Sequence, residues 1–145
     1  KRSAGRLFEI LFNMEYGFEE ASEAIETGLK TNVVWEKMGA LFLLWLSVEK
    51  DREFEKATSA AERGVADEHP RVRRASFILF KALVEKGKGF EKAIQVLENR
   101  LPLEKDPKAR EEALSLLEKI KEKGKISNEK YEQIKSLASQ AEGLN

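Results

Sequence analysis

Apolar and polar residues follow the same order in three segments of the chain that begin 36 residues apart. Each segment opens with an aromatic residue, and small or apolar residues follow after steps of three, four and three, except that Arg100 ends the third set. Steps of this size place side chains on one side of an α-helix, so each segment predicts a short amphipathic helix. A looser fourth copy has its aromatic residue 41 positions after the third. The four sets are Phe18, Ala21, Ile25 and Gly28; Phe54, Ala57, Ala61 and Gly64; Phe90, Ala93, Leu97 and Arg100; and Tyr131, Ile134, Ala138 and Ala141.

Longer stretches with a helical period, free of internal proline, separate these segments. Asp106-Pro107 predicts an N-cap followed by proline at the first helical position, and His69-Pro70 predicts a similar start. The pattern therefore predicts a long helix A, a turn and a short helix B, repeated four times. The long helices are expected over 32–50, 70–86 and 107–123, and the glycines expected beyond their ends are Gly87, Gly89 and Gly124.

The most apolar stretch of the chain is A-L-F-L-L-W-L, residues 40–46. Seven apolar residues in a row cover every side of a helix. A membrane span needs about 20 apolar residues, and Glu36 and Lys37 interrupt this run. We therefore interpret the stretch as the long helix of the second repeat. The side chains expected to face its core are Leu41, Leu44 and Val48, with Trp45 packing near them.

The short-helix pattern resembles tetratricopeptide-type repeats, whose second helix follows a Gly-aromatic turn and carries small residues at this spacing. The segments G-F-E-E-A from Gly17 and G-F-E-K-A from Gly89 carry this resemblance. The starts of two long helices, H-P-R-V-R-R-A-S and D-P-K-A-R-E-E-A, resemble the Pro-x-Val-Arg beginning of HEAT-type repeats.

Resemblance to these two families implies an all-α fold, a right-handed α-solenoid of about eight helices in four antiparallel pairs. A single domain would cover residues 1–145. Neither family is enzymatic in general, so the implied function is a non-catalytic scaffold that presents its A helices to a protein or peptide. The repeats are expected at approximately 1–31, 32–68, 69–105 and 106–145.

An apolar strip on the A helices is the predicted binding surface. In a solenoid, neighbouring hairpins cover most of helix A and leave its concave side open. The expected partner is a protein, a peptide or another copy of this chain, which makes a homo-oligomer one form of the prediction. The predicted partner-binding residues are Phe42, Leu46, Glu49, Ile78 and Ala82.

Nucleic acid is the alternative partner, and it is the less favoured one. Phosphate binding along successive helix N-termini would be physically sensible, because those ends carry positive dipole. However, equivalent arginines in HEAT-type repeats tie neighbouring hairpins together, and no aromatic residues interleave with the cluster to stack on bases. The residues of this alternative site are Arg71, Arg73, Arg74, Lys108 and Arg110.

Charge and composition narrow the function further. The 26 Lys and Arg balance the 26 Asp and Glu, so no net field favours nucleic acid or an anionic membrane. Residues 1–68 nevertheless carry a net charge of −5 and residues 69–145 carry +5, which favours head-to-tail association or merely reflects two solvated surfaces. The lack of cysteine excludes disulfides and fits a reducing, cytoplasmic location. Abundant Lys and Glu resembles hyperthermophile usage.

Catalytic and metal chemistry find little support in the residues. His69, the only histidine, precedes a proline in a predicted turn. Glutamate pairs such as Glu19 with Glu23 fall on polar helix faces, where Glu serves solubility, and no phosphate-binding glycine loop is present. The sequence therefore predicts no enzymatic activity, no metal and no cofactor.

Overall fold

The computed structural model describes residues 18–143, which form seven α-helices and one short 3₁₀ turn, with no strand in this part of the chain. The all-α prediction is therefore confirmed. The first of the eight predicted helices falls in residues 1–17, outside the described residues. The helices are α1 (Phe18–Lys30), α2 (Val34–Glu49), α3 (Phe54–Gly64), α4 (Pro70–Glu85), α5 (Phe90–Arg100), α6 (Pro107–Glu122) and α7 (Asn128–Gly143), and the 3₁₀ turn is Leu101–Leu103.

The predicted alternation of long and short helices is confirmed from α2 to α6, and local signals explain where the long helices begin. The side chain of Asp106 accepts a hydrogen bond from the backbone N–H of Ala109 at 2.9 Å, as an N-cap does. His69 accepts one from the N–H of Arg71 at 3.1 Å through its Nδ1 atom. A proline follows each cap at the first helical position, where its missing N–H costs nothing.

The core is one continuous apolar cluster that runs through the described helices. The long helix α2 packs against α4, and α4 packs against α6, while the short helices α1 and α3 pack against the long helix that follows each of them. Helix α4 therefore has neighbours on both sides and supplies many fully buried side chains. Its largest contributions to the core are Phe77, Leu79, Phe80 and Leu83.

Helix α2 places the apolar stretch 40–46 largely inside this core. Leu41, Leu44 and Val48 are buried, as predicted, and Trp45 is partly buried against the same cluster. Neighbouring helices on several sides explain why the helix is apolar almost all round. No helix within residues 18–143 is both long enough and apolar enough to cross a membrane.

The same ion pair recurs between alternate helices, from α1 to α3, from α3 to α5 and from α5 to α7. In each case a glutamate on one helix meets a lysine that follows it by 30 to 32 residues. The same kind of contact therefore links each of these helices to the next one in the set. The three pairs are Glu26 with Lys56 at 2.7 Å, Glu62 with Lys92 at 3.3 Å, and Glu98 with Lys130 at 2.7 Å.

Tyr131 occupies a different position from the one the sequence alignment predicts. The backbone N–H groups of Ala57, Ala93 and Tyr131 each donate to the carbonyl of the residue four positions earlier, at the start of α3, α5 and α7. Tyr131 therefore corresponds to the buried alanines of α3 and α5 and not to Phe54 and Phe90. Its buried ring lies under the ammonium of Lys121. Its hydroxyl donates a hydrogen bond to the carboxylate of Glu118. This hydrogen bond and burial both raise the pKa of Tyr131.

Candidate protein-binding face

Helix α2 exposes one stripe of apolar side chains although most of its surface is buried. Trp35 is 58% exposed and Phe42 is 41% exposed, while Met38 and Leu46 are half-buried. These positions follow each other by steps of three and four, so they lie on one side of the helix. Glu49 continues the stripe as an exposed charge at the helix end. Two of the predicted binding residues, Phe42 and Leu46, thus lie on a surface that is more apolar than its surroundings.

Helix α4 presents the corresponding stripe one repeat later, with a different character. Ile78 is half-buried and stands 36 residues after Phe42. Ala82 was expected on the open side, but it is buried at 7% exposure. Its side chain belongs to the buried core, and α2 and α6 both pack on α4. Ala82 therefore does not contribute to the predicted binding surface, and the exposed large apolar side chains of the long helices lie on α2.

Aromatic contacts stiffen the exposed stripe. The rings of Phe42 and Trp45 stack with centroids 6.2 Å apart and planes 12° from parallel. The guanidinium of Arg71 lies over the ring of Trp35 at 5.5 Å from its centroid, a cation–π distance. Two of the largest exposed side chains are thus held by neighbours, which lowers the entropy cost of binding a partner.

An open groove of about 570 Å³ lies beside this stripe, between the N-terminal halves of the long helices. Its apolar lining comes from α2 and α4, and its cations come from the first turns of α4 and α6. We call this groove together with Trp35 and Phe42 the long-helix face. The groove is lined by Met38, His69, Pro70, Arg71, Arg74, Ala75, Ile78, Asp106 and Lys108.

The three cations of the groove are poorly neutralised. Within residues 18–143, Arg71 and Lys108 form no ion pair, and Arg74 reaches Glu112 only at 4.0 Å. The carboxylate of Asp106 serves the N-cap of α6. The long-helix face therefore combines an apolar floor with positive charge at its edge.

Arg73 takes no part in the groove, although it neighbours Arg74 in the sequence. Its guanidinium holds Glu104 with two hydrogen bonds of 2.8 and 3.1 Å, and its side chain is only 17% exposed. It also donates to the backbone carbonyl of Asp67, and Arg110 donates to the carbonyl of Glu104 in the same way one repeat later. Arg73 and Arg110 thus tie neighbouring repeats together, which was the favoured interpretation for these arginines.

The five residues of the nucleic-acid alternative are therefore divided between two places. Arg71, Arg74 and Lys108 line the groove, whereas the other two are engaged in the ties just described. Lys37 makes an equivalent tie 36 residues before Arg73, through a 2.6 Å ion pair with Asp67.

Sequence reasoning missed Trp35 and Met38 as surface residues. They lie seven and four residues before Phe42, on the same helical stripe, so the period of the long helix would have placed them beside it. The half-buried Asp67 and the buried Glu104 were missed too, although each stands six residues before a basic residue of the next long helix. The two acids matter because they show which cations are already paired within the fold, namely Lys37 and Arg73, and which remain available to a partner.

Groups able to hold a metal ion, meaning three or more His, Asp or Glu side chains together, do not occur in the part of the chain that the structure describes. His69, whose ring nitrogen accepts the N-cap hydrogen bond of α4, also lines the groove through its ring. Comparison of the chain with protein-family models, with curated proteins and with solved structures gave no match.

Proposed function

We propose that this chain is a non-catalytic scaffold that binds another protein through its long-helix face. One observation carries the proposal: α2 buries nearly all of its apolar surface except the stripe that contains Trp35 and Phe42. Large exposed apolar groups that lie together on one side of an element mark interaction sites more often than isolated ones do.

We further propose that the helices form a right-handed α-solenoid within a single domain. The threefold recurrence of the Glu–Lys pair along α1, α3, α5 and α7 supports regular stacking. So does the order in which the long helices pack, α2 on α4 and α4 on α6. Such stacking gives the long helices a shared surface on which a partner can lie.

The exposed aromatic side chains are sufficient in size to support binding. Burying one large apolar side chain contributes about 1.5–3 kcal/mol. Tryptophan in a well-packed pocket is also among the residues whose removal costs the most at protein interfaces. Trp35 and Phe42 together therefore supply several kcal/mol before the cost of association is subtracted.

Phe42→Glu combined with Leu46→Glu tests the proposal directly. A phage-displayed library of peptides is selected on the full chain, and enriched peptides are measured on both proteins. We expect the variant to lose at least about tenfold in affinity, since a charge in an apolar contact costs well over the 1.4 kcal/mol of one decade. The molar mass of both proteins from light scattering shows whether the same face joins two copies.

Leu103→Glu combined with Ala66→Glu is the matched control, because both positions are exposed and lie outside the groove. Phe42→Glu alone is the second variant, since Phe42 is the more exposed of the pair and is expected to leave the helical circular dichroism unchanged. The proposal fails if a folded Phe42 variant keeps the affinity and the self-association of the unmodified chain.

A further inference from the structure

We propose that the long-helix face binds an acidic amphipathic helix of another protein. Its apolar side would lie against Trp35, Phe42 and Ile78, and its carboxylates would meet Arg71, Arg74 and Lys108. This inference rests on the proposed function and adds to it the chemistry of the partner.

Charge complementarity identifies the acidic character of the partner. Arg71 and Lys108 form no ion pair within residues 18–143, and the 4.0 Å separation of Arg74 from Glu112 leaves it only weakly paired. The remaining cations on the long helices mostly have close carboxylates, as Lys37 has in Asp67 and Lys81 has in Glu112. Unpaired cations at the edge of an apolar surface select a partner with acidic residues beside apolar ones.

The backbone of the protein indicates that the partner segment is helical. Residues 18–143 contain no strand, so this part of the chain offers no sheet edge to which an extended peptide could add its own backbone hydrogen bonds. A helix satisfies its backbone internally and presents apolar side chains at steps of three and four. That spacing matches a shallow groove between two long helices.

A protein partner fits the groove better than a nucleic acid does. The groove contains Asp106 and an apolar floor of Met38, Ala75 and Ile78, neither of which attracts phosphates. A symmetric pair of copies is also disfavoured, because it would place two sets of the same three cations in one interface.

Three labelled peptides of about 18 residues, with identical apolar residues at steps of three and four and with Glu, Gln or Lys at the flanking positions, test this inference. Their affinities for the full chain are measured by fluorescence anisotropy at low and at physiological salt. We expect the Glu peptide to bind about tenfold tighter than the Gln peptide at low salt, with the difference shrinking as salt screens the charges. The Lys peptide is expected to bind weakest.

Arg71→Glu combined with Lys108→Glu should remove the preference for the Glu peptide. The matched control is Lys88→Glu combined with Lys125→Glu, which makes the same change in charge at two exposed lysines over Phe54 and Phe90, outside the groove. We expect the control to keep the preference. Equal affinity for all three peptides overturns the acidic partner and leaves the protein-binding proposal intact, whereas loss of all binding on Phe42→Glu supports that proposal separately.

Two further outcomes overturn the inference. If a single-stranded oligonucleotide displaces the Glu peptide at an equal concentration, the cations recognise phosphate. If light scattering shows a dimer that persists in excess Glu peptide, the long-helix face is occupied by a second copy of this chain.

Discussion

Glu104 is 3% exposed, and Arg73 compensates the charge of its buried carboxylate. The two hydrogen bonds from the guanidinium match the planar geometry of the carboxylate. A buried carboxylate left without its partner is costly, because water cannot replace the lost bonds. Asp106 gains as well, since its backbone N–H donates to Glu104 at the start of α6.

Arg73→Ala is expected to lower the free energy of unfolding by about 3 kcal/mol, because it leaves Glu104 buried without a cation. Urea denaturation followed by circular dichroism measures this change. The control is Arg74→Ala, whose side chain is 46% exposed and 4.0 Å from Glu112, and which should change stability by less than about 1 kcal/mol. A loss for Arg73→Ala no larger than that of the control would contradict the stabilising role of the Arg73–Glu104 pair.

Gly64 allows α3 to lie directly against α4. A Cβ atom there would stand 1.8 Å from the Oγ and 2.9 Å from the Cβ of Ser76, which is fully buried. Gly28 holds the equivalent position 36 residues earlier, with the carbonyl oxygen of Glu36 at 2.5 Å from its hypothetical Cβ. Where Arg100 replaces glycine in the next repeat, the 3₁₀ turn Leu101–Leu103 follows instead.

Gly64→Ala should therefore destabilise the protein by about 1–3 kcal/mol through overpacking. Gly39→Ala is the matched comparison, because nothing lies within 4 Å of its hypothetical Cβ and it sits inside α2. There, alanine should add about 0.5–1 kcal/mol of stability through its better helix propensity. Chemical denaturation of both variants checks the opposite signs, and equal effects would mean that α3 and α4 are less closely packed than described.

At the scale of the helices, most boundaries were predictable from the sequence because their causes are local. Asp106-Pro107 and His69-Pro70 start α6 and α4 where expected, and the period of apolar residues fixes the lengths within one or two residues. The register of Tyr131 was not predictable. An aromatic residue that matches Phe90 in pattern takes the place of an alanine, and only the backbone bond to Ser127 shows this.

Glu53 and Gly89 begin α3 and α5 with the same left-handed backbone, at φ of 58° and 69°. This conformation is unfavourable for a residue with a side chain. Glu53→Gly should therefore raise the free energy of unfolding by about 0.5–1 kcal/mol, and the reciprocal Gly89→Ala should lower it by a similar amount. Thermal denaturation of both variants tests this, and a loss of stability in Glu53→Gly would show that its pair with Lys56 outweighs the strain.

The ion pair between Glu26 on α1 and Lys56 on α3 makes the stability of the protein depend on pH. A hydrogen bond from Lys56 and its charge hold the pKa of Glu26 below the usual value. Because the folded pKa is lowered, the pair stabilises the protein above the pKa of the unfolded glutamate, and that contribution is lost as pH falls through the folded pKa. In Lys56→Gln, the pKa of Glu26 measured by NMR should rise toward its ordinary value. Lys92→Gln, which removes the lysine of the next pair, should leave the pKa of Glu26 unchanged.

At the scale of the whole molecule, part of the proposed binding face was predictable from the sequence, and the rest was missed for one reason. Phe42 could be found from the period of its own helix, and it is exposed. Ala82 could not, because its burial depends on the helices on either side of α4. The separation of Arg73 from Arg74 depends likewise on Glu104, which is distant in sequence.

The central claim is that equivalent positions on the three long helices form one surface that takes a partner segment. NMR spectra of the isotopically labelled full chain, recorded during titration with the Glu-flanked peptide, test it most directly. We expect saturable shifts of the backbone signals of Gly39, Ala75, Ile78 and Lys108, with little change around Phe54, which lines a separate pocket between α3 and α5. Shifts that are centred on Phe54, or that are scattered without saturation, would contradict the account.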